Sequence, residues 1–320
     1  LQRQAANLPG QTIEIGRQMN PLAVLGPRRH WLLAFILPIA LGACSPRQMV
    51  IGRLADGLAA QGQAVETDLD LAREASPFYL KLSESLLREQ PGHLALAESV
   101  ASGFTQYAYA FVAFEADRVE AQDARAAERL RQRAARLYRR ARGHAVAGLE
   151  QANPGFMAAL RRPRTEDWPR LAPEQVGLAY WAAAAWGGWI SLSKDEPEVV
   201  ADLPIAARLA RLAWQADPDW GRGASTGLMA RFEASRPGGQ AAQALAWFDR
   251  AIAQSHGLDA GPLVGKAEGY ALPAGDRAQF EALLRQALAV QDAPDSPLTL
   301  QNEVMRRRAA WLLDQADDLF

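Results

Sequence analysis

From Met49 onward apolar positions recur at three- and four-residue spacing, and no segment sustains the alternation of a half-buried strand. The pattern predicts an all-α fold. Proline, glycine and aspartate clusters interrupt it at Gln90-Pro91-Gly92, Asn153-Pro154-Gly155, Arg162-Pro163, Pro169 to Pro173, Asp195 to Pro197, Asp217-Pro218-Asp219, Arg236 to Gly239, Gly257 to Pro262, Pro273 to Gly275 and Pro294 to Pro297, which cuts the chain into about ten helices.

Several helices close alike. ESLLREQPGH from Glu84, ARLAWQADPDW from Ala210, AIAQSHGLDAGP from Ala251 and ALAVQDAPDSP from Ala287 each end an amphipathic run in a polar turn containing proline. Such endings mark tetratricopeptide-like helical hairpins, whose period is about 34 residues. Pro218 and Pro297 lie 79 residues apart, about two repeats. One hairpin cannot bury its apolar face alone, so the expected architecture is an α-solenoid of stacked pairs with an inner surface for ligands or partners.

The first 43 residues have a different pattern. WLLAFILPIALGA, Trp31 to Ala43, is a charge-free run of thirteen residues behind Arg28 and Arg29 and ahead of the lone cysteine, Cys44. As a helix it reaches about 20 Å, short of the roughly 30 Å of a bilayer core, and it contains Pro38. This is the form of a secretory signal, with translation starting at Met19. Leu41-Gly42-Ala43-Cys44 resembles a bacterial lipobox, so Cys44 is the expected lipidation site. The chain divides into residues 1–43, a signal peptide with an upstream extension, and 44–320, the helical-repeat domain. The formal charge of −1 becomes −4 once the signal, net +3, is set aside. No basic footprint for nucleic acid remains, and one cysteine excludes an internal disulfide. Membrane attachment is therefore expected through acyl chains on Cys44. Ser45 after the cysteine matches, by resemblance to lipoprotein sorting rules, the periplasmic face of the outer membrane.

Ser76-Pro77-Phe78-Tyr79-Leu80-Lys81, Glu84 to Leu87 and GFTQYAYAFVAFEADRVE from Gly103 to Glu120 open a series of blocks. Ala135 to Arg140 with Gly143-His144, Tyr180-Trp181-Ala182, Trp186 to Leu192, Leu203-Pro204-Ile205, Asn302, Arg306 to Ala309 and Trp311 to Leu313 continue it in order to the Leu319-Phe320 end. These blocks resemble the TatT component family of TRAP-type transporters across nearly all of residues 44–320. The resemblance implies a lipid-anchored, tetratricopeptide-like periplasmic lipoprotein that forms a homotrimer, docks a TRAP substrate-binding protein and has a channel through each subunit. It departs at Ala124 to Ala135 and at Arg236 to Gln240.

Val100, Phe104, Tyr107, Phe111 and Phe114 form one stripe on a helical wheel, flanked by Gln106 and Tyr109. Trp181, Ala185 and Trp189 form another, with Trp186 beside it and Gly187-Gly188 marking a close approach. Core packing accounts for most of these positions. Gln106, Tyr107, Tyr109, Trp181, Trp186 and Trp189 are the ligand-channel candidates, since phenol, amide and indole groups combine apolar contact with a hydrogen-bonding tip. No charged clamp stands out in the sequence. The arginines between Arg129 and Arg142 read as a solvated face.

No metal or cofactor is expected, and no enzymatic activity: the histidines are scattered, and no metalloprotease, serine-hydrolase or phosphate-loop motif is present. Glu98-Ser99 and Gly227-Leu228-Met229 resemble two motifs of lytic transglycosylases, but more than a hundred residues separate them. A scaffold lipoprotein for envelope or outer-membrane assembly is the alternative function.

Overall fold

The computed structural model describes residues 46–61 and 66–320; the signal segment and Cys44 lie outside the described residues. Those described are helical throughout, with no strand among them, so the fold is all-α. The order is α1 (Pro46–Gln61), α2 (Leu69–Glu89), α3 (Leu94–Tyr107), a π-helical segment (Ala108–Ala113), α4 (Phe114–Val119), α5 (Ala124–Ala152), α6 (Phe156–Leu160), α7 (Val176–Ser191), α8 (Pro197–Val200), α9 (Leu203–Ala216), α10 (Ala224–Ser235), α11 (Ala241–Gln254), α12 (Gly261–Lys266), a second π-helical segment (Ala267–Ala271), α13 (Arg277–Ala289), α14 (Thr299–Asp314) and α15 (Ala316–Leu319).

Side-chain caps set several starts. Asp68 accepts from the Asp70 and Leu71 amides, Asp123 from Ala126 and Asp276 from Gln279, each satisfying amides that the first helical turn leaves open. His93 caps α3 with a ring nitrogen: Nδ1 accepts from the Leu96 amide while Nε2 lies 2.9 Å from Asp56.

Short helices occupy some of the breaks where the sequence pattern predicts only turns. α6 comes directly after Asn153-Pro154-Gly155, with Gly155 left-handed at φ +85°, and α12 begins inside the Gly257 to Pro262 break. Pro262 stands at the head of α12, and Pro197 and Pro204 at the heads of α8 and α9, where a missing amide hydrogen costs nothing. Proline there starts a helix rather than ending one.

The main core joins α1, α2, α3, α5, α7 and α9 around Leu96, Leu149, Leu178, Trp186 and Leu209, all without accessible surface. Each such leucine contributes about 1.5–3 kcal/mol by leaving water. A second core, built on Phe280, Leu284, Val264 and Leu312, joins α12, α13 and α14. Between Val50 and Phe320 the chain also closes on itself, because α14 packs back on α2 and the Trp311 ring meets Phe114 edge-on at 5.7 Å.

Candidate functional site

The α3 to α4 stretch is one apolar rod whose period is broken once. Val100 and Phe104 face the core, but Ala108–Ala113 adopts the wider π turn, which shifts every later side chain around the axis. Phe114 is still buried, against Trp311, while Tyr107 and Phe111 are half-buried and meet at 5.5 Å. Tyr109, inside the wide turn, also keeps accessible surface, and its hydroxyl contacts the Met305 sulfur at 3.9 Å. Gln106 is exposed.

On α7 the four aromatic side chains diverge. Trp186 has no accessible surface; the Arg142 guanidinium lies 3.9 Å over its ring, and its indole nitrogen has no partner among the described residues. It is a core residue. Trp189 is partly exposed and lines a groove of about 270 Å³ with Arg136, Arg139 and Leu192. Trp181 packs edge-on to Tyr180 at 4.9 Å, and Tyr180 rests on Trp220 at 4.5 Å. The close approach expected at the paired glycines comes from two aromatic rings: a Cβ on Gly188 would sit 2.8 Å from the Tyr138 ring, and one on Gly187 3.3 Å from Phe232. Tyr107, Tyr109 and Trp189 thus gather around Tyr138 in one small cluster, while Trp181 belongs to a separate one with Tyr180 and Trp220.

A charged centre links these clusters, and no motif in the chain announces it. Arg231 on α10 lies within electrostatic reach of the Tyr109, Tyr138 and Tyr180 phenols and of the Asp259 carboxylate. Burial raises all four of these groups, taking Tyr180 to about 12. Tyr109 and Tyr180 sit deep among protein atoms and still carry accessible surface, and Arg231 is exposed. Groups that are both deep and accessible face an internal space. The Tyr138 and Tyr180 hydroxyls and the Arg231 guanidinium make no hydrogen bond among the described residues, so their donors are open to whatever occupies it.

Arg308 on α14 holds one side of this centre. It donates to Glu268 at 2.6 Å and to Asp117 at 3.1 Å, and lies 5.6 Å over the Tyr109 ring and 5.2 Å over Phe114. Burial disfavours its charge, but Tyr109, Glu268 and Asp117 outweigh that and keep its pKa above the ordinary value. Tyr109 belongs to the first π segment and Glu268 to the second. Wide turns of this kind are often found at functional sites.

The remaining sequence features stay apart. Glu98 packs against Gly177 on α7, and burial raises its carboxyl; it makes no hydrogen bond or ion pair among the described residues. Leu228 and Met229 lie against the main core on α10. Within the arginine run, Arg131 pairs with Glu120, Arg140 with Glu84, and Arg142 stacks on Trp186 rather than meeting solvent. Among the described residues no cluster of histidine, cysteine and acidic groups has metal-site geometry, and no helix is long and apolar enough to cross a membrane.

Residues 65–320 match the sequence model of the TRAP transporter T-component. A relative in Treponema pallidum (strain Nichols), known only as an uncharacterised protein, is 27% identical over 267 residues, which is 80% of this chain and 81% of that protein. The matched span takes in both π segments, Arg231, Arg308 and every aromatic residue of the two clusters. This all-α chain therefore belongs to the TRAP transporter T-component family, a family of accessory components of TRAP transport.

Proposed function

We propose that the protein is a lipid-anchored periplasmic subunit that docks a TRAP substrate-binding protein and holds or passes a small apolar ligand through its interior. Cys44 carries the lipid, and the assembly is a homotrimer on the periplasmic face of the outer membrane. The observation that carries the ligand part is the set of aromatic side chains, Tyr109, Tyr180, Trp181 and Trp220, that lie deep in the fold without being sealed. Rings of this kind offer apolar contact with a polar tip to orient what they hold. Among the six channel candidates, Tyr107, Tyr109, Trp181 and Trp189 keep this role in the proposal. Exposed Gln106 is a candidate for a mouth, and buried Trp186 supports the wall from behind. Three tethered copies would raise the effective concentration of binding protein where ligand arrives.

The test is retention of periplasmic proteins by the full-length protein, with identification by mass spectrometry. Recovery of a TRAP substrate-binding protein is the expected result. Recovery of outer-membrane assembly factors without it would replace this reading with the envelope-scaffold one. Cys44→Ala should abolish incorporation of labelled acyl chains and move the protein to the soluble fraction; unchanged labelling would overturn the anchor.

A further inference from the structure

The turn from Trp220 to Gly223 has an uncommon backbone. Gly221, Arg222 and Gly223 are all left-handed, with φ of 60°, 54° and 92°. For Arg222 that conformation costs on the order of 1–3 kcal/mol, and it persists only where the surroundings hold it. Here Gln254 does so, its Nε2 donating to the Pro218 carbonyl at 3.0 Å and to Asp219 at 2.5 Å, with its Cβ where a side chain on Gly223 would go. The turn delivers Trp220 onto Tyr180 and brings Arg222 within electrostatic reach of Asp259. Arg231 arrives from the next helix, its guanidinium lying over Gly265, where a Cβ would be 3.1 Å away.

Charge in this region does not balance. Arg308 is occupied by Asp117 and Glu268. Asp259 is buried and already held by the Gly261 amide at 2.7 Å and by Gln301 Nε2 at 3.0 and 3.1 Å. Arg222 and Arg231 form no hydrogen bond or salt bridge among the described residues, and Asp259 is the one carboxylate that both reach. Two guanidinium groups facing one carboxylate leave a single positive charge beside an aromatic platform. The Tyr180 hydroxyl, also without a partner among the described residues, adds a neutral donor.

We infer that this place holds the head of a monoanionic amphiphile, a carboxylate received by Arg231 and Arg222 with its apolar body lying on Tyr180 and Trp220. The inference rests on the proposed interior ligand path and narrows the class of molecule that travels it: an uncharged apolar molecule would leave both arginines unanswered. Planar guanidinium groups suit a carboxylate because they donate in parallel pairs.

Binding of decanoate and of decanol to the full-length protein, measured by calorimetry at neutral pH below their aggregation limits, tests this. The two share a tail and differ in head charge. Decanoate should bind about tenfold or more tighter, the factor that one charge-assisted hydrogen bond supplies. Arg231→Gln should lose that preference while decanol binds as before, and Arg231→Lys should keep part of it. Equal binding of the two by the unaltered protein would overturn the anionic head and leave the apolar path standing. Failure of both to bind would overturn the path as well. Equal weakening of both ligands in Arg231→Gln, with Arg231→Lys no better, would make Arg231 a structural residue and overturn its assignment.

Discussion

Arg308 and Asp117 are 191 residues apart in the chain and 3.1 Å apart in the fold. Their contact, with Phe114 against Trp311, joins the last long helix to the first third of the described chain. Arg308 is one-eighth exposed, so its removal leaves Glu268 and Asp117 facing each other without a counter-charge. Arg308→Met should therefore destabilise the protein by about 3 kcal/mol, as breaking one partner of a buried pair does. Denaturant unfolding would measure it, with Arg308→Lys recovering part of the loss. Unaltered stability would show that the contact does not hold the ends together.

Glu84 gives a pH dependence of known sign. Burial alone would raise its carboxyl, but Arg140, Lys81 and His144 converge on it and hold it down to about 2. A group lowered in the folded state contributes stability above its unfolded pKa, and that contribution fades as pH falls from about 4.5 toward 2. Glu84→Gln should lose about 2 kcal/mol at neutral pH and flatten the acid limb of the stability curve in that window. An acid limb of unchanged steepness would assign the sensitivity elsewhere.

Two helical glycines should respond oppositely to alanine. Gly188 has the Tyr138 ring 2.8 Å from where its Cβ would be, whereas nothing lies within 4 Å of that position at Gly143 in α5. Gly143→Ala should stabilise by about 0.5–1 kcal/mol through helix propensity alone. Gly188→Ala gains the same propensity and loses about 1–3 kcal/mol to overpacking, for a net loss. A thermal melt of each variant separates the two, and stabilisation at both positions would mean that Tyr138 moves aside freely.

Trp186 and Trp181 should also part. Trp186→Ala opens a cavity in the main core and should cost about 3–5 kcal/mol. Trp181→Ala, on a half-buried surface, should cost less than half of that and weaken decanol binding. Chemical denaturation and calorimetry on the same samples would read both effects.

The helical class, the main breaks and the family blocks are legible in the sequence because period, proline and glycine act locally. Helix starts at Pro197, Pro204 and Pro262 are less so: the same residue ends one helix and begins the next, and only the fold decides which. The stripe through Val100 and Phe104 holds up to Tyr107, where the first π segment begins to shift the register and no residue type announces it. Trp186 and Trp189 look alike on a helical wheel and differ in the fold because α5 covers one and leaves the other on a groove. Arg231, in the ordinary run Met229-Ala230-Arg231-Phe232-Glu233, carries no mark of a site. Its neighbours Tyr109, Tyr138, Tyr180 and Asp259 come from four separate stretches, so only folding brings them together.

Each wide turn amounts to one supernumerary residue in an otherwise regular helix. Deleting Ala110 would let the backbone tighten and would improve that helix taken alone. It would also rotate everything after the deletion by about 100°, carrying Phe114 and Asp117 away from Trp311 and Arg308. Local regularity and closure of the ring are thus alternatives for this chain, and a length change of one residue there should be tolerated far less well than most substitutions.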